Sequence, residues 1–458
     1  MKKWSTMLSV CSLGLILAAC NNDAGTDEEG NEGDEASENQ EEVTISVASW
    51  RFGNEGEETL ERSMVEAFME DYPHITVEID ESIGDPWNDS LSAAASASAM
   101  PDVFELSEVP IALANDWLLS LDEVVEGDED FDNINEAVKE QLYYEDTVYS
   151  LPSGQHLLGY FVNKDLYEEG NLNVPEYGMS IDDFSNAVRD VTDINSGQVG
   201  LNQPFSIIEW YPVSANDDMG VFTYQDGELN LDSNEFISGV NLANSLVTNN
   251  YVYESLTEEQ KGNFNGEDGN EVWFQSEMGL RWDGTWVLSF FDESDFDWDF
   301  VGIPGGKAFS VNDFMGISQS TEHPEEAYLF TKYMTFGKEG FLKRLDLVDE
   351  QDFTLNTLPI TTDQEILDAF FERLDVPGIL EAYEDIENGV ANLPKIVPGY
   401  TAARWNAPTG VSVGEESNAT IGQLIDAAVN GEVNIENYSS QLNDLANQQI
   451  QEGIDSID

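Results

Sequence analysis

Positive charge is scarce in this 458-residue chain: 17 Lys and Arg stand against 92 Asp and Glu, a formal net charge of −75 at pH 7. That imbalance excludes nucleic acid as a partner, because phosphate contacts are made by Lys and Arg. Cysteine is nearly absent, with Cys11 and Cys20 alone. Cys11 sits inside an N-terminal apolar run that reads as a removable segment, so no internal disulfide can form in what remains. The three histidines show no H-E-x-x-H spacing, and with so little cysteine no recognisable zinc pattern exists. Although acids are abundant, they are spread along the whole chain, and no stretch has the spaced ligands of a calcium loop. No cofactor is implied, and no internal repeat is visible.

The N-terminus has a definite organisation. Lys2 and Lys3 make a basic start, Met7 to Leu17 an apolar run, and Leu17-Ala18-Ala19-Cys20 a small-residue cleavage signal. This is the layout of a secretory signal peptide over 1–19, too short to span a bilayer stably. The Leu-Ala-Ala-Cys ending resembles the bacterial lipobox, which implies that Cys20 becomes the mature N-terminus and carries lipid. An ordinary cleavage near Ala19, leaving Cys20 free, is the alternative. From Asn21 to Glu42 the chain holds ten acids, no Lys or Arg and no aromatic. Such a segment buries nothing and repels itself, so residues 20–42 are expected to be a lipidated, disordered tether.

The tether does not account for the acidity. Without its ten acids and the two signal lysines, 82 acidic and 15 basic residues remain, a formal net of −67. Self-repulsion of that size destabilises a compact state in dilute buffer. At about 1 M salt the Debye length falls to about 3 Å and most of the repulsion is screened. The composition therefore predicts a surface adapted to a saline or alkaline habitat.

Residues 43–458 are too many for one simple core. Strands are expected at 44–50, 75–80 and 102–106. Helices are expected between them: at 56–72, where Leu60, Met64, Phe68 and Tyr72 recur every fourth position and Pro73 stops the run, and at 91–99 before Pro101. Strands separated by helices imply a parallel, wound sheet. A second α/β region starts near 156, with a strand at 159–163, a helix at 180–193 and a hairpin-like stretch at 221–232. The strand at 313–318 has the character of the first region. Helices are expected at 323–336, 361–374, 379–388, 420–429 and 436–452. The fold class is α/β in two lobes: 43–155 plus 314–357, and 156–313 plus 358–458.

Several segments together resemble family 1 of the bacterial extracellular solute-binding proteins, which serve ABC importers. They are the opening strand ending in Trp50, AFMEDYPHITVEI (67–79), MPDVFEL (100–106), SLPSGQHLLGYFVNKDLYEEGNLNVPE (150–176), GLRWDGTW (279–286) and GISQSTEHPEEAYLFTKYM (316–334). Their order is that of the family, and they cover most of 43–458. Tyr177-Gly178-Met179 departs from the pattern, standing where a Thr-Trp usually opens the helix. The resemblance implies a type II periplasmic-binding-protein-like fold, two lobes joined by hinge crossings and closing on a ligand between them. It also implies an ABC permease as partner, a carbohydrate as ligand, a monomeric receptor, and attachment to the outer face of the cell membrane through the lipid on Cys20.

Sugars offer flat C–H faces and rims of hydroxyls, so their sites need aromatic platforms and planar hydrogen-bonding groups. Only seven residues are arginine, and three of them adjoin a tryptophan: Trp50-Arg51, Arg281-Trp282 and Arg404-Trp405. The family pattern places Trp50 and Arg51 at the end of the first strand, with Glu105, Ser107 and Glu108 after the Pro-Asp strand. His156 follows the first crossing, and Glu209 and Trp210, with Tyr211, fall in a second-lobe loop. Asp283 and Trp286 belong to the glycine-tryptophan segment, and Arg404 and Trp405 to a late helix. A place in the core is the competing role for each Trp and for His156. An oligosaccharide, neutral or mildly acidic, is the expected ligand; uronic or phosphorylated sugars and amines are the alternatives.

Enzyme signals are weak. Gly410-Val411-Ser412-Val413-Gly414 fits the nucleophile-elbow spacing, but the last histidine, His323, lies upstream of it. Gly305-Gly306-Lys307 lacks both the Ser/Thr and the first glycine of a phosphate loop. Paired carboxylates could serve a glycoside hydrolase, yet nothing singles out a pair. A binding protein rather than an enzyme is expected, with a surface adhesin as the remaining alternative.

Overall fold

The computed structural model describes residues 41–291, 294–355 and 357–457. The signal segment, Cys20 and nearly all of the tether lie outside these residues. From Glu42 onward the chain forms one compact unit.

Its frame is a nine-stranded mixed sheet. β1 (Val43–Ala48) lies between β2 (Ile75–Ile79) and β3 (Val103–Leu106), all parallel. β4 (Leu151–Asn163), β5 (Val199–Leu201), β6 (Met278–Gly284), β7 (Trp298–Gly302), β8 (Phe309–Ile317) and β9 (Val390–Ala391) complete it. The main path runs β2-β1-β3-β8-β4-β6-β5, with β9 on β8 and β7 on β4. The parallel arrangement expected from alternating elements holds at the β2-β1-β3 edge and again where β5 joins β6 and β9 joins β8. β8 joins β3 antiparallel and β4 antiparallel. Sequential alternation fixes the hand of neighbouring connections, but not which distant strand closes the sheet.

Local signals explain where the elements begin and end. The helix Leu60–Asp71 opens on Thr59, whose hydroxyl accepts from Arg62 N at 3.2 Å, and it buries Leu60, Met64 and Phe68 on one face. Fully burying a ring such as Phe68 stabilises by roughly 1.5–3 kcal/mol. The helix Ile181–Val191 has a capping box between Ser180 and Asp183. Helices at Ser206–Ala215, Asn234–Thr248 and Lys338–Gln351 are additional to those expected. The hairpin-like stretch 221–232 is reduced to one antiparallel bridge, Gln225↔Glu228, closed by reciprocal backbone bonds of 2.8 and 3.0 Å. Val221–Thr223 form a 3-10 turn in which Phe222 and Thr223 have φ of 49° and 66°. Leu229 N and Leu231 N then bond to the side chains of Asn447 and Asn443 instead of to a partner strand. Side-chain amides from a distant helix thus replace the ladder.

The buried apolar residues form three clusters. The first collects Val43–Leu151 and Phe314–Met334 with Phe336, Leu347 and Ile360. The second runs from Leu158 through Ile303 to the helices of 421–450, and the third surrounds Trp273, Phe291, Phe300 and Phe370. β4 and β8 pass from one cluster to another. Leu151 belongs to the first, Leu157 to the third and Tyr160 to the second; Phe309 belongs to the second and Phe314 to the first. All thirteen residues of β4 are buried, including Ser153, Gln155 and His156. Buried polar groups in such a strand need partners, and those partners build the candidate site.

Candidate functional site

β4 and β8 pair in the register Val311↔His156, Asn312↔Gln155 and Asp313↔Gly154, then slip at Ser153, which bulges out. Alternation along the strands sends Gly154, His156 and Asp313 to one face, and Gln155 and Asn312 to the other. The first face carries charge. Arg51, at the end of the turn after β1, donates Nη1 to the Ser153 carbonyl and faces Glu61 at 3.7 Å. Ser153 Oγ donates to Glu105 Oε2 at 2.8 Å, and Ser49 Oγ donates to Oε1 at 3.0 Å. Gly154 leaves room for this arrangement, since a Cβ there would come within 2.9 Å of Arg51 Nη1.

Asp313 completes the network, with Lys395 Nζ ion-paired to Oδ1 and His156 Nε2 3.6 Å from Oδ2. Burial raises the carboxyl pKa of Asp313, but His156 and Lys395 outweigh it and hold the group well below the usual carboxylate range. Burial, joined by the Arg51 and Lys395 charges, lowers the His156 pKa against the pull of Asp313. The imidazole is therefore neutral near pH 7, and Lys395 is the cation that keeps Asp313 ionised. His156 Nδ1 is buried without a partner. Glu105 is wholly buried; desolvation, opposed by Arg51 and aided by Asp313, pushes its pKa up to about 7.

Aromatic rings flank the network. Trp50 is 40% exposed, meets Trp87 edge to face at 5.0 Å and lies 5.6 Å from Lys395 Nζ. Trp87 Nε1 is anchored on the Glu105 carbonyl at 2.9 Å. Trp286 is 38% exposed and meets His156 edge to face at 5.4 Å. A third ring, Trp405, also 38% exposed, belongs to the π-helical turn Ala402–Asn406. Arg404 beside it is buried, donates Nε to Glu209 at 2.6 Å and lies 4.5 Å over Phe222. Tyr400 Oη donates to the same carboxylate at 3.3 Å, and its ring meets Trp405 at 5.8 Å. Burial opposes the Arg404 charge, but Glu209 outweighs it and raises the pKa.

The segment 393–401 ties these rings to the first cluster. Val109 N donates to the Lys395 carbonyl at 2.9 Å, and the half-buried Glu108 carboxylate is hydrogen-bonded to Thr401. Burial raises the Glu108 pKa against that bond.

The sequence-selected residues thus divide. Trp50, Trp286 and Trp405 are three of only six large apolar side chains exposed among the described residues. Arg51, Glu105 and His156 form one buried network, and Glu209, Arg404 and Trp405 a second. Ser107 bonds Asn88 at 2.8 Å, and Asp283 is engaged by Arg281 at 2.6 Å. Trp210 is a correction: it is fully buried, stacks edge to face on Phe184 at 5.3 Å and donates Nε1 to Tyr160 Oη at 2.8 Å. Its neighbour Glu209 lies on the turned-out side of the same helix, which leaves the indole for the core. Trp87, Ser153, Asp313, Lys395 and Tyr400 join these networks without having been singled out in the sequence. Among ten tryptophans and many acids, only tertiary contacts, spanning 18 to 191 positions, distinguish them.

The Ser412 motif lies in a hairpin strand, Pro408–Val413, and not at a strand-to-helix elbow; its hydroxyl donates to the Ser417 carbonyl at 2.9 Å. Lys307 pairs with Asp217 at 3.0 Å. Among the described residues no cluster of His, Cys, Asp and Glu could hold a metal ion, and no helix is long and apolar enough to cross a membrane. A broad surface groove lined by Tyr167, Val174, Pro175, Tyr177 and Met179 contains none of the candidate residues. Its wall lacks the convergent buried polar groups seen at Asp313, so the ring-flanked network is the stronger site.

Residues 53–336 match the family model described as bacterial extracellular solute-binding protein. No curated protein matches the chain. Solved structures do. An ABC substrate-binding protein from Listeria monocytogenes in complex with cycloalternan is 19% identical, with a TM-score of 0.68, covering 90% of this chain and 100% of that one. The GacH receptor of Streptomyces glaucescens, determined unliganded and with acarbose, is 16% identical, with a TM-score of 0.65 and coverage of 90% and 99%. The cyclic α-maltosyl-1,6-maltose binding protein from Arthrobacter globiformis is 15% identical, with a TM-score of 0.64 and coverage of 90% and 100%. At these identities the likeness establishes the fold, a type II periplasmic-binding-protein-like α/β architecture.

Proposed function

The chain belongs to the bacterial extracellular solute-binding protein family, and from that premise we propose that it captures a neutral oligosaccharide and delivers it to the permease of an ABC importer. The observation that carries the reading is the set of exposed indoles: Trp50 and Trp286 beside the buried polar network at the β4–β8 crossing, and Trp405 beside the second network of Arg404 and Glu209. Exposed rings supply stacking faces for sugar C–H surfaces, and the network holds them in place. These structural relatives bind cycloalternan, acarbose and a cyclic maltosyl-maltose, which supports the same ligand class.

The paired arginines favour a neutral ligand. Arg51 faces Glu61 and Glu105, Arg281 holds Asp283, and Arg404 holds Glu209. A uronic or phosphorylated group would have to displace a buried carboxylate from one of them, leaving a charge unpaired. The binding reading also accounts for the chain without catalysis, since the family consists of solute receptors.

In this reading 43–155 plus 314–357 form one lobe and 156–313 plus 358–458 the other, with β4 and β8 as hinge strands. Lipid on Cys20 holds a monomeric receptor on the outer face of the membrane, and the acidic tether gives it reach. The acidic surface suits a saline or alkaline habitat.

A thermal-shift screen in 2 M NaCl against maltotetraose, acarbose and other oligosaccharides tests the proposal. The true ligand class raises the melting temperature by mass action. Small-angle scattering should then show compaction on binding. A panel in which no saccharide stabilises the protein would overturn the carbohydrate reading.

A further inference from the structure

Phe290 is the most exposed large apolar side chain among the described residues, 62% accessible, in a chain whose surface is otherwise dominated by carboxylates. Its position gives that exposure meaning. After β6, residues Thr285–Val287 form a 3-10 turn that runs directly into the helical turn Leu288–Phe291. The start is fixed, because Leu157 N of β4 donates to Thr285 Oγ1 at 3.2 Å. Val287, Leu288 and Phe291 pack into the third core cluster. The residues left on the outer side are Trp286 and, four positions on, Phe290.

Along a segment that begins as a 3-10 turn and ends as an α turn, positions four apart lie about 6–8 Å apart along the axis, and the burial of Val287, Leu288 and Phe291 leaves Trp286 and Phe290 on the outer side. That spacing is comparable to the distance between neighbouring rings of an oligosaccharide. The inner ring is held rigidly. Trp286 meets His156 at 5.4 Å and covers Gly284 so closely that a Cβ there would lie 2.3 Å from the indole. The outer ring has no aromatic partner among the described residues, and large apolar side chains left in water on one short segment mark a contact surface.

We infer that Trp286 and Phe290 form a two-ring rail, on which Phe290 stacks an additional sugar unit of a linear oligosaccharide whose inner unit sits on Trp286. The inference rests on the carbohydrate reading and deepens it, because it makes chain length a determinant of affinity. The occupant is a sugar rather than a protein because Phe290 follows Trp286, a ring of the candidate site, on the same short segment.

The test is calorimetric titration of the full mature chain with a ladder of malto-oligosaccharides from maltose to maltoheptaose, and with the corresponding cello-oligosaccharides. For the wild type, affinity for the preferred series should rise at least tenfold from the shortest bound member to the plateau. In Phe290→Ala that gain should fall below threefold, and Phe290→Trp should restore it. Circular dichroism should show all three proteins folded, as expected for a change at a side chain this exposed. A length gain equal in wild type and Phe290→Ala would overturn the rail while leaving carbohydrate binding intact. Failure of the wild type to bind any member of either ladder would overturn the rail together with the reading beneath it.

Discussion

Arg404 donates its Nε–H to Glu209 at 2.6 Å, joining two side chains 195 positions apart in the chain. The guanidinium is buried between Phe222 and the Trp405 ring, 4.5 Å and 5.3 Å from their centroids. Removing one partner of a buried pair leaves the other uncompensated, which costs about 3–5 kcal/mol. Arg404→Ala should therefore lose stability on that scale in urea denaturation, and Glu209→Gln should lose less, since the amide still accepts a hydrogen bond. An Arg404→Ala protein as stable as wild type would show that the pair contributes nothing.

The pH dependence of stability should carry a signature of Glu105. Its carboxyl pKa rises from an ordinary 4.5 to about 7 because burial disfavours the charged form. For an acid raised in this way the native state binds the proton more tightly than the unfolded chain. Its contribution to stability is full below pH 4.5 and is lost as pH rises through about 7. At 1.36 kcal/mol per pH unit, the loss is about 3 kcal/mol. Glu105→Gln should therefore gain on the wild type across that window, by Tm or denaturant midpoint. Parallel pH curves for the two proteins would rule the effect out.

Trp286 and Trp405 carry the stacking assignment. Each is 38% exposed at the edge of its core, so Trp286→Ala and Trp405→Ala should leave the fold cooperative. Each should weaken the best saccharide ligand by about tenfold, the scale of an aromatic contact beyond its buried area. A change below about threefold, roughly 0.7 kcal/mol, would remove that tryptophan from the site.

Salt should stabilise the native state. With 82 acids against 15 bases from Val43 onward, self-repulsion is strong in dilute buffer and screened near 1 M salt. The Tm should rise steadily from 10 mM to 2 M NaCl, and to similar extents in NaCl and KCl if screening is the cause. A flat or falling curve would disprove it.

Much of the frame was legible residue by residue. The fourfold spacing of Leu60, Met64 and Phe68 gives the buried face of the first helix, although the caps Thr59 and Ser180 set the actual starts later than the expected 56 and 180. These are local effects, acting over a turn or two. The antiparallel entry of β8 between β3 and β4 was not legible, because strand pairing is settled by segments far apart in sequence. The helix Asn234–Thr248 was also missed; its apolar face is broken by asparagines, one of which, Asn244, bonds the Val429 carbonyl at 2.9 Å. The stretch 221–232 alternates like a hairpin and closes one bridge, Gln225↔Glu228, but beyond it Leu229 N and Leu231 N bond to side chains of the helix Ser439–Asp455.

For the site, the sequence by itself determined the chemical stock: many carboxylates, few cations, and arginines set beside indoles. It also placed the tryptophans at element ends, where a ring can reach solvent. Tertiary structure alone decided which indoles do so. Trp50, Trp286 and Trp405 stay at the surface, whereas Trp210 is sealed beneath Phe184 and Tyr160. It likewise decided that every arginine of the three pairs is occupied by a carboxylate from its own chain. The reason is physical: periodicity and capping act between neighbours a few ångströms apart, while the burial of a ring or the pairing of a charge depends on whatever distant segment packs over it.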